Sequence, residues 1–181
     1  MKKLLSEKPI RIIKAKEDLK KITGVNIENR GKEIYLEGKP EDEFIAEKIV
    51  DALDFGFPFS AATTIKQDNF HFEILDIKEY TRRKDLKTIR GRIIGTDGRT
   101  LKILAILSNC FFEINGNRIG IIGPIECSKS ARESIISLIR GSKQANVYRA
   151  LEKAKVEPVE DLGIKKGFEK KLKTKILNNK F

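Results

Sequence analysis

The run Arg92-Ile93-Ile94-Gly95-Thr96-Asp97-Gly98-Arg99-Thr100 sets two glycines three positions apart between two segments of helical pattern. Glycines let a backbone come close to a phosphodiester chain, and the N-terminus of the next helix offers amides and a positive dipole end to an anion. Around the loop stand Arg90, Arg92, Arg99, Thr100 and Lys102, residue types that contact phosphate and sugar. Ile93 and Ile94 before the loop, with Phe112 and Ile114 on a following strand, would floor a narrow groove for unstacked bases. Two glycines alone would equally make a plain turn between helices. Asp97 stands apart, because a carboxylate repels phosphate and must either point away or read a base amine.

No other constellation offers chemistry. His71 is the only histidine, with no nucleophile beside it, and strand alternation scatters Asp68, Glu73, Asp76 and Glu79 over two faces. Cys110 and Cys127 lack metal-ligand spacing and read as small buried hydrophobes, so no disulfide, metal, cofactor or catalytic residue is expected. The chain should not be an enzyme.

The 181 residues carry 37 Lys and Arg against 26 Asp and Glu, net +11. The excess is local. Residues 1–75 hold 13 basic and 14 acidic side chains, 76–150 hold 15 and 7, and 151–181 hold 9 and 5. From Arg82 to Lys102 the bases Arg82, Arg83, Lys84, Lys87, Arg90, Arg92, Arg99 and Lys102 face only Asp85 and Asp97, which points to a polyanionic partner. No run of 18 apolar residues exists, and MKKLLSEKPI lacks the apolar stretch of a secretory signal, so a cytoplasmic protein without a membrane span is expected.

The elements that must position the loop follow from periodicity. Pro9 to Lys14 reads as a strand, Asp18 to Ile22 as a short helix stopping at Gly24, and Val25–Glu28 and Glu33–Glu37 as a hairpin. Glu41 to Leu53 reads as a helix and Gly56 to Gln67 as a connection. The second half reads as a strand from Phe70 to Leu75, a basic helix from Arg83 to Ile94 and a helix from Arg99, apolar nearly all round and so expected in the core. Strands Phe111–Ile114 and Arg118–Ile122 follow, then helices Pro124–Arg140 and Ala145–Lys155. The orders βαββα and βααββα suggest duplicated modules of about 70 residues. A GxxG loop that clamps about four nucleotides is the signature of a KH domain.

The string ILDIKEY from Ile74, and TIRGRIIGTDGRTLKILAILSNCFFEINGNRIGIIGPIECSKSARESIISLIRGSKQANVY after it, resembles the second KH domain of the pre-ribosomal RNA-binding factors called Dim or Pno. The resemblance runs from residue 1 to about 152 and is strongest from Ile74 to Tyr148. It implies an α+β chain of two tandem type I KH domains, each a three-stranded sheet with helices on one face. They would span 1–69, lacking its GxxG loop, and 70–150, with the loop intact. It also implies Gly95, Thr96, Asp97 and Gly98 as the backbone clamp, Ile94 beside it, and Arg90, Arg92, Arg99, Thr100 and Lys102 as phosphate or sugar contacts. Members of this family bind the single-stranded 3′ region of small-subunit rRNA in the pre-ribosomal particle, partner the Nob endonuclease and time the final cleavage without being nucleases. The first domain departs from the pattern, since residues 12–18 run into a helix with no glycine loop, so rigid packing or a protein partner is its expected role. The alternative is a KH-type RNA-binding subunit of an RNA-degrading or translation-associated complex. An RNA-degrading subunit would carry a further RNA-binding barrel, for which this chain is too short.

Residues 151–181 are expected to form a basic helical tail. Ile164, Phe168, Leu172 and Ile176 recur every fourth position among lysines, a stripe that would pack on the protein itself, on RNA or a ribosomal partner, or on a membrane surface. Replacing Gly95 or Gly98 with Asp is expected to abolish RNA binding without unfolding.

Overall fold

The computed structural model describes residues 2–154, which divide into two compact units between Phe72 and Glu73. The tail pattern from Ile164 to Ile176 lies outside the described residues.

The first unit runs β1 (Lys2–Leu5), α1 (Pro9–Thr23), β2 (Asn26–Arg30), β3 (Glu33–Glu37), α2 (Pro40–Phe55) and a short α3 (Phe59–Ala62). The expected strand at Pro9–Lys14 is instead the first part of α1, which also absorbs the short helix expected at Asp18–Ile22. Proline fits the first helical turn, where its missing N–H costs nothing. Ile12, Ala15 and Leu19 then make a buried stripe at helical spacing and leave Ile10 and Ile13 outside. The strand lies earlier, in the four-residue KKLL segment, and pairs antiparallel with β3 at the edge of the sheet order β1-β3-β2. Lysine on an exposed edge is a common guard against stray strand pairing. Val25 and the inward residues Ile27, Ile34 and Leu36 meet Ala46, Ile49 and Leu53 of α2 in the core.

The end of α2 closes over the start of α1. Asp54 accepts from the backbone N–H of Lys8 at 2.7 Å, from that of Glu7 at 3.1 Å and from the Ser6 hydroxyl, while Lys8 Nζ donates to the Phe55 carbonyl at 3.2 Å. Asp54 thereby fastens the segment between β1 and α1 to the end of α2.

The second unit follows with β4 (Phe70–Asp76), which straddles the division, α4 (Leu86–Ile94), α5 (Arg99–Ser108), β5 (Phe111–Asn115), β6 (Arg118–Pro124), α6 (Ile125–Arg140) and α7 (Gln144–Ala154). Its sheet order, β4-β6-β5, repeats the first-third-second order of the other sheet and leaves β5 at an edge. β5 and β6 form an antiparallel hairpin with Asn115 opposite Arg118. Ile89 and Ile93 of α4, Leu104 of α5, Phe112 of β5, Ile119 and Ile121 of β6 and Ile135 of α6 share one buried cluster with Val147 and Leu151 of α7.

Two expectations shift here. α4 begins at Leu86 rather than Arg83, because the Asp85 carboxylate caps it, accepting from the Thr88 N–H at 3.2 Å, so Arg82, Arg83 and Lys84 precede the helix as exposed residues. α5 is not apolar on all sides: Thr100, Leu104, Ala105 and Ser108 are buried, whereas Lys102 and Ile103 are exposed, which makes the helix a wall rather than a core rod. Both cysteines are free thiols, and burial pushes the Cys110 thiol up to about 12. Among the described residues no helix is long and apolar enough to cross a membrane.

Replacing Asp54 with Ala should lower the stability of the first unit by about 1.5–3 kcal/mol, the range for losing hydrogen bonds to a charged group. Urea denaturation should show a reduced midpoint with an unchanged slope, and Asp54→Asn, which keeps an acceptor oxygen, should lose less. An unmoved midpoint for the alanine variant would refute the bracing role of Asp54.

Candidate nucleic-acid interface

Helix α4 ends where Gly95 takes φ 73° and ψ 174°, a backbone region open essentially to glycine alone. A 3-10 turn, Thr96–Gly98, follows with Asp97 at φ 52°, and Gly98 enters α5 in the left-handed region at φ 72°. The two glycines are not equivalent. A Cβ on Gly95 would stand 2.8 Å from Thr100 Cβ and closer still to its hydroxyl, whereas a Cβ on Gly98 would meet nothing within 4 Å. The left-handed region is one that Asp and Asn tolerate. Asp at Gly98 therefore meets no neighbour but carries the strain of a positive φ, whereas Asp at Gly95 must also displace Thr100, against the expectation that it would spare the fold.

Thr100 is held from behind. Gln144 Nε2 donates to Thr100 Oγ1 at 2.8 Å and to the Arg92 carbonyl at 3.1 Å. The Arg92 guanidinium donates to the Gly141 carbonyl at 2.9 Å and to that of Ser142, capping the C-terminus of α6. The loop, α5 and the corner between α6 and α7 are thus tied by one set of hydrogen bonds.

In front of the loop opens a groove of about 300 Å³, lined by Ile94, Asp97 and Gly98, by Leu101 and Lys102 of α5, and by Glu113 and Ile114 of β5. No side chain caps the first turn of α5. Thr96 and Arg99 are exposed on the same turn, and Gly95 forms its back. Arg90, Arg92 and Thr100 are placed elsewhere: Arg90 donates to the Gly116 carbonyl at 3.1 Å and Asn117 Oδ1 at 3.2 Å, bracing the β5–β6 turn, and Thr100 is buried. Ile93 and Phe112, expected in the groove floor, are instead core residues, and Ile94 and Ile114 provide the apolar lining. Sequence reasoning missed Glu113, Leu101 and Gln144. An acidic residue inside a strand of Phe and Ile was the one available signal, since strands are depleted in Glu. Among the described residues no three His, Cys, Asp or Glu side chains come together as a metal site.

Gly95→Ala should destabilise the second unit by about 1–3 kcal/mol through overpacking, and more than Gly98→Asp does, as read by urea denaturation of each variant. Equal losses would contradict the contact with Thr100. Arg92→Ala should cost about 1.5–3 kcal/mol by removing charge-assisted hydrogen bonds. Arg99→Ala should leave the denaturation midpoint where it is, and a drop matching that of Arg92→Ala would overturn the assignment of Arg92 to the fold.

Residues 71–156 match the second KH domain of Pno1, described as the eukaryotic-type KH domain (KH-domain type I). The pre-rRNA-processing protein pno1 of Aspergillus fumigatus is 31% identical over 144 residues, covering 76% of this chain and 57% of that protein. A KH domain-containing protein of Methanocaldococcus jannaschii is 29% identical over 124 residues, 66% of this chain and 55% of that one. The chain thus spans little more than half the length of these curated relatives. Among solved structures, Dim2p of Pyrococcus horikoshii superposes with a TM-score of 0.77 at 27% identity, over 84% of this chain and 98% of that one. The a/eIF2alpha–aDim2p–rRNA complex from the same organism gives 0.76 at 27%, over 84% and 92%. With sequence and backbone in agreement, residues 71–156 form a type I KH domain of the Pno1 kind, and the chain is similar to the Dim and Pno KH-domain proteins.

Proposed function

We propose that this chain is a non-enzymatic rRNA-binding factor of small-subunit ribosome biogenesis, built as two tandem type I KH domains over 1–69 and 70–150, of which only the second grips RNA. The observation that carries the reading is the groove at the loop of the second unit. There the start of α5 carries no side-chain cap and faces a groove beside two positive-φ glycines, whereas α1 of the first unit runs unbroken and offers no such loop. Phosphates track the Gly95–Gly98 backbone, with Arg99 and Lys102 adding salt-dependent attraction, while bases lie against Ile94, Leu101 and Ile114. Arg90, Arg92 and Thr100 support this surface from the fold. The first domain, net −1 over residues 1–75, serves rigid packing or a protein partner.

Two relatives support the biological setting: pno1 is named a pre-rRNA-processing protein, and Dim2p was crystallised with rRNA. On this reading the chain acts in the cytoplasm within the pre-ribosomal particle. It holds the single-stranded 3′ region of small-subunit rRNA and presents it to a Nob-type endonuclease. The presence of a/eIF2alpha in the Dim2p complex favours a second reading, a translation-associated complex.

Crosslinking in cell extract with sequencing of the bound RNA, wild type against Gly98→Asp, tests the proposal. Crosslinks should concentrate near the 3′ end of small-subunit rRNA and disappear in the variant. Crosslinks spread over mature subunits or many transcripts would remove the biogenesis assignment, and crosslinks indifferent to the substitution would remove the clamp.

A further inference from the structure

The bases of the second unit divide by what their side chains already hold. Arg90 bonds the Gly116 carbonyl, Arg92 the Gly141 carbonyl, and Arg132 the Tyr80 hydroxyl at 3.0 Å. Arg82, Arg83 and Lys84 stand exposed between the 3-10 turn Ile77–Tyr80 and α4, and among the described residues no ion pair or hydrogen bond engages their charged ends. Lys87 is exposed on the first turn of the helix that follows. The nearby acids are already answered: Asp85 accepts from the N–H and the hydroxyl of Thr88, and Glu79 lies in the field of Arg132. A second observation ties this cluster to the groove. Ile94 lines the groove from the last position of α4, and helical spacing puts Gly91, Arg90 and Lys87 on the same face. Gly91 is exposed, and a Cβ on it would meet nothing within 4 Å, so neither packing nor a positive φ explains a glycine where a helix interior favours any residue but proline. Bare backbone at that point leaves room for a close approach from outside.

We propose that Arg82, Arg83, Lys84 and Lys87 form a second RNA-backbone site, which receives a single strand running from the clamp along α4 and extends the footprint beyond the about four nucleotides that the loop holds; this rests on the RNA-clamp reading given above. The separation suits a strand rather than one contact. The nine residues of α4 set the cluster roughly 13 Å from the loop, a span that a strand held at Gly95–Gly98 crosses within a few nucleotides. Phosphates carry charge and no sequence information, so this site adds salt-dependent affinity without choosing bases. An acidic protein segment would meet the same cations, but only a strand already seated in the groove gains from the bare backbone at Gly91 and from the continuous face of α4.

The test is equilibrium binding of the full chain to fluorescein-labelled oligouridylates of four and ten nucleotides, followed by anisotropy. The triple variant R82A/R83A/K84A should bind the tetramer within about twofold of wild type and the decamer about tenfold more weakly, with an unchanged thermal melt. Extra registers on the decamer favour both proteins alike, so comparison at one length isolates the cluster. On the decamer the plot of log affinity against log salt should lose about 2 from its slope, at about 0.7 for each of three phosphates. Removing three cations from the first unit, in K14A/K20A/K21A, should change decamer binding by less than about twofold. A cluster variant that matches wild type on the decamer overturns the site and leaves an acidic protein as the partner of these bases. Equal losses on tetramer and decamer, or as large a loss in K14A/K20A/K21A, overturn it as well. The clamp reading fails separately, when Gly98→Asp binds the tetramer as wild type does; loss of tetramer binding in Gly98→Asp beside a cluster variant that matches wild type at both lengths removes only the second site.

Discussion

In the second unit the backbone at Gly95 passes through space that no side chain could share with Thr100, and the rest of the groove depends on that crossing. Thr100 cannot step aside, because Gln144 bonds its hydroxyl and the Arg92 carbonyl together. The residues after Gly95 are thereby forced out toward the groove, and Asp97 and Gly98 take positive φ. A ligand meeting such a loop finds it already shaped, and the ordering cost that flexible loops charge on binding is largely avoided.

The two units treat one stretch of the fold differently. A helix presents partial positive charge at its N-terminus. In the first unit the 15-residue α1 runs unbroken, and Asp54 fastens the residues that lead into it. In the second a turn interrupts the corresponding stretch, and the new helix end it creates opens on solvent beside exposed cations. Equal strand order in the two sheets thus does not carry equal surfaces, because one pair of glycines decides where a second helix end is exposed.

How far this was legible in the sequence depended on whether a residue's role is local. The start of α5, the β5–β6 hairpin and the loop itself follow from glycines, asparagines and short-range periodicity, and they stand where these signals place them. β1 escaped because a four-residue edge strand offers too little alternation, and Pro9 with the apolar run after it imitates a strand. The cationic residues were the harder case. A guanidinium aimed at a carbonyl and one aimed at a phosphate are both satisfied by oxygen, so nothing in the sequence separates Arg90 and Arg92, which brace the fold, from the exposed Arg99. Gln144 acts across a long separation in the chain, where a single sequence carries no signal.

The bond from Gln144 also sets an order of events during synthesis. Every side chain that lines the groove lies at or before Ile114, and all three strands of the sheet are complete by Pro124. The fastening of Thr100, and the burial of Val147 and Leu151 that seats α7, come afterwards. A nascent chain therefore displays its basic surface before the loop is fixed, and a groove of full definition arises only once the helix beyond the sheet has left the ribosome.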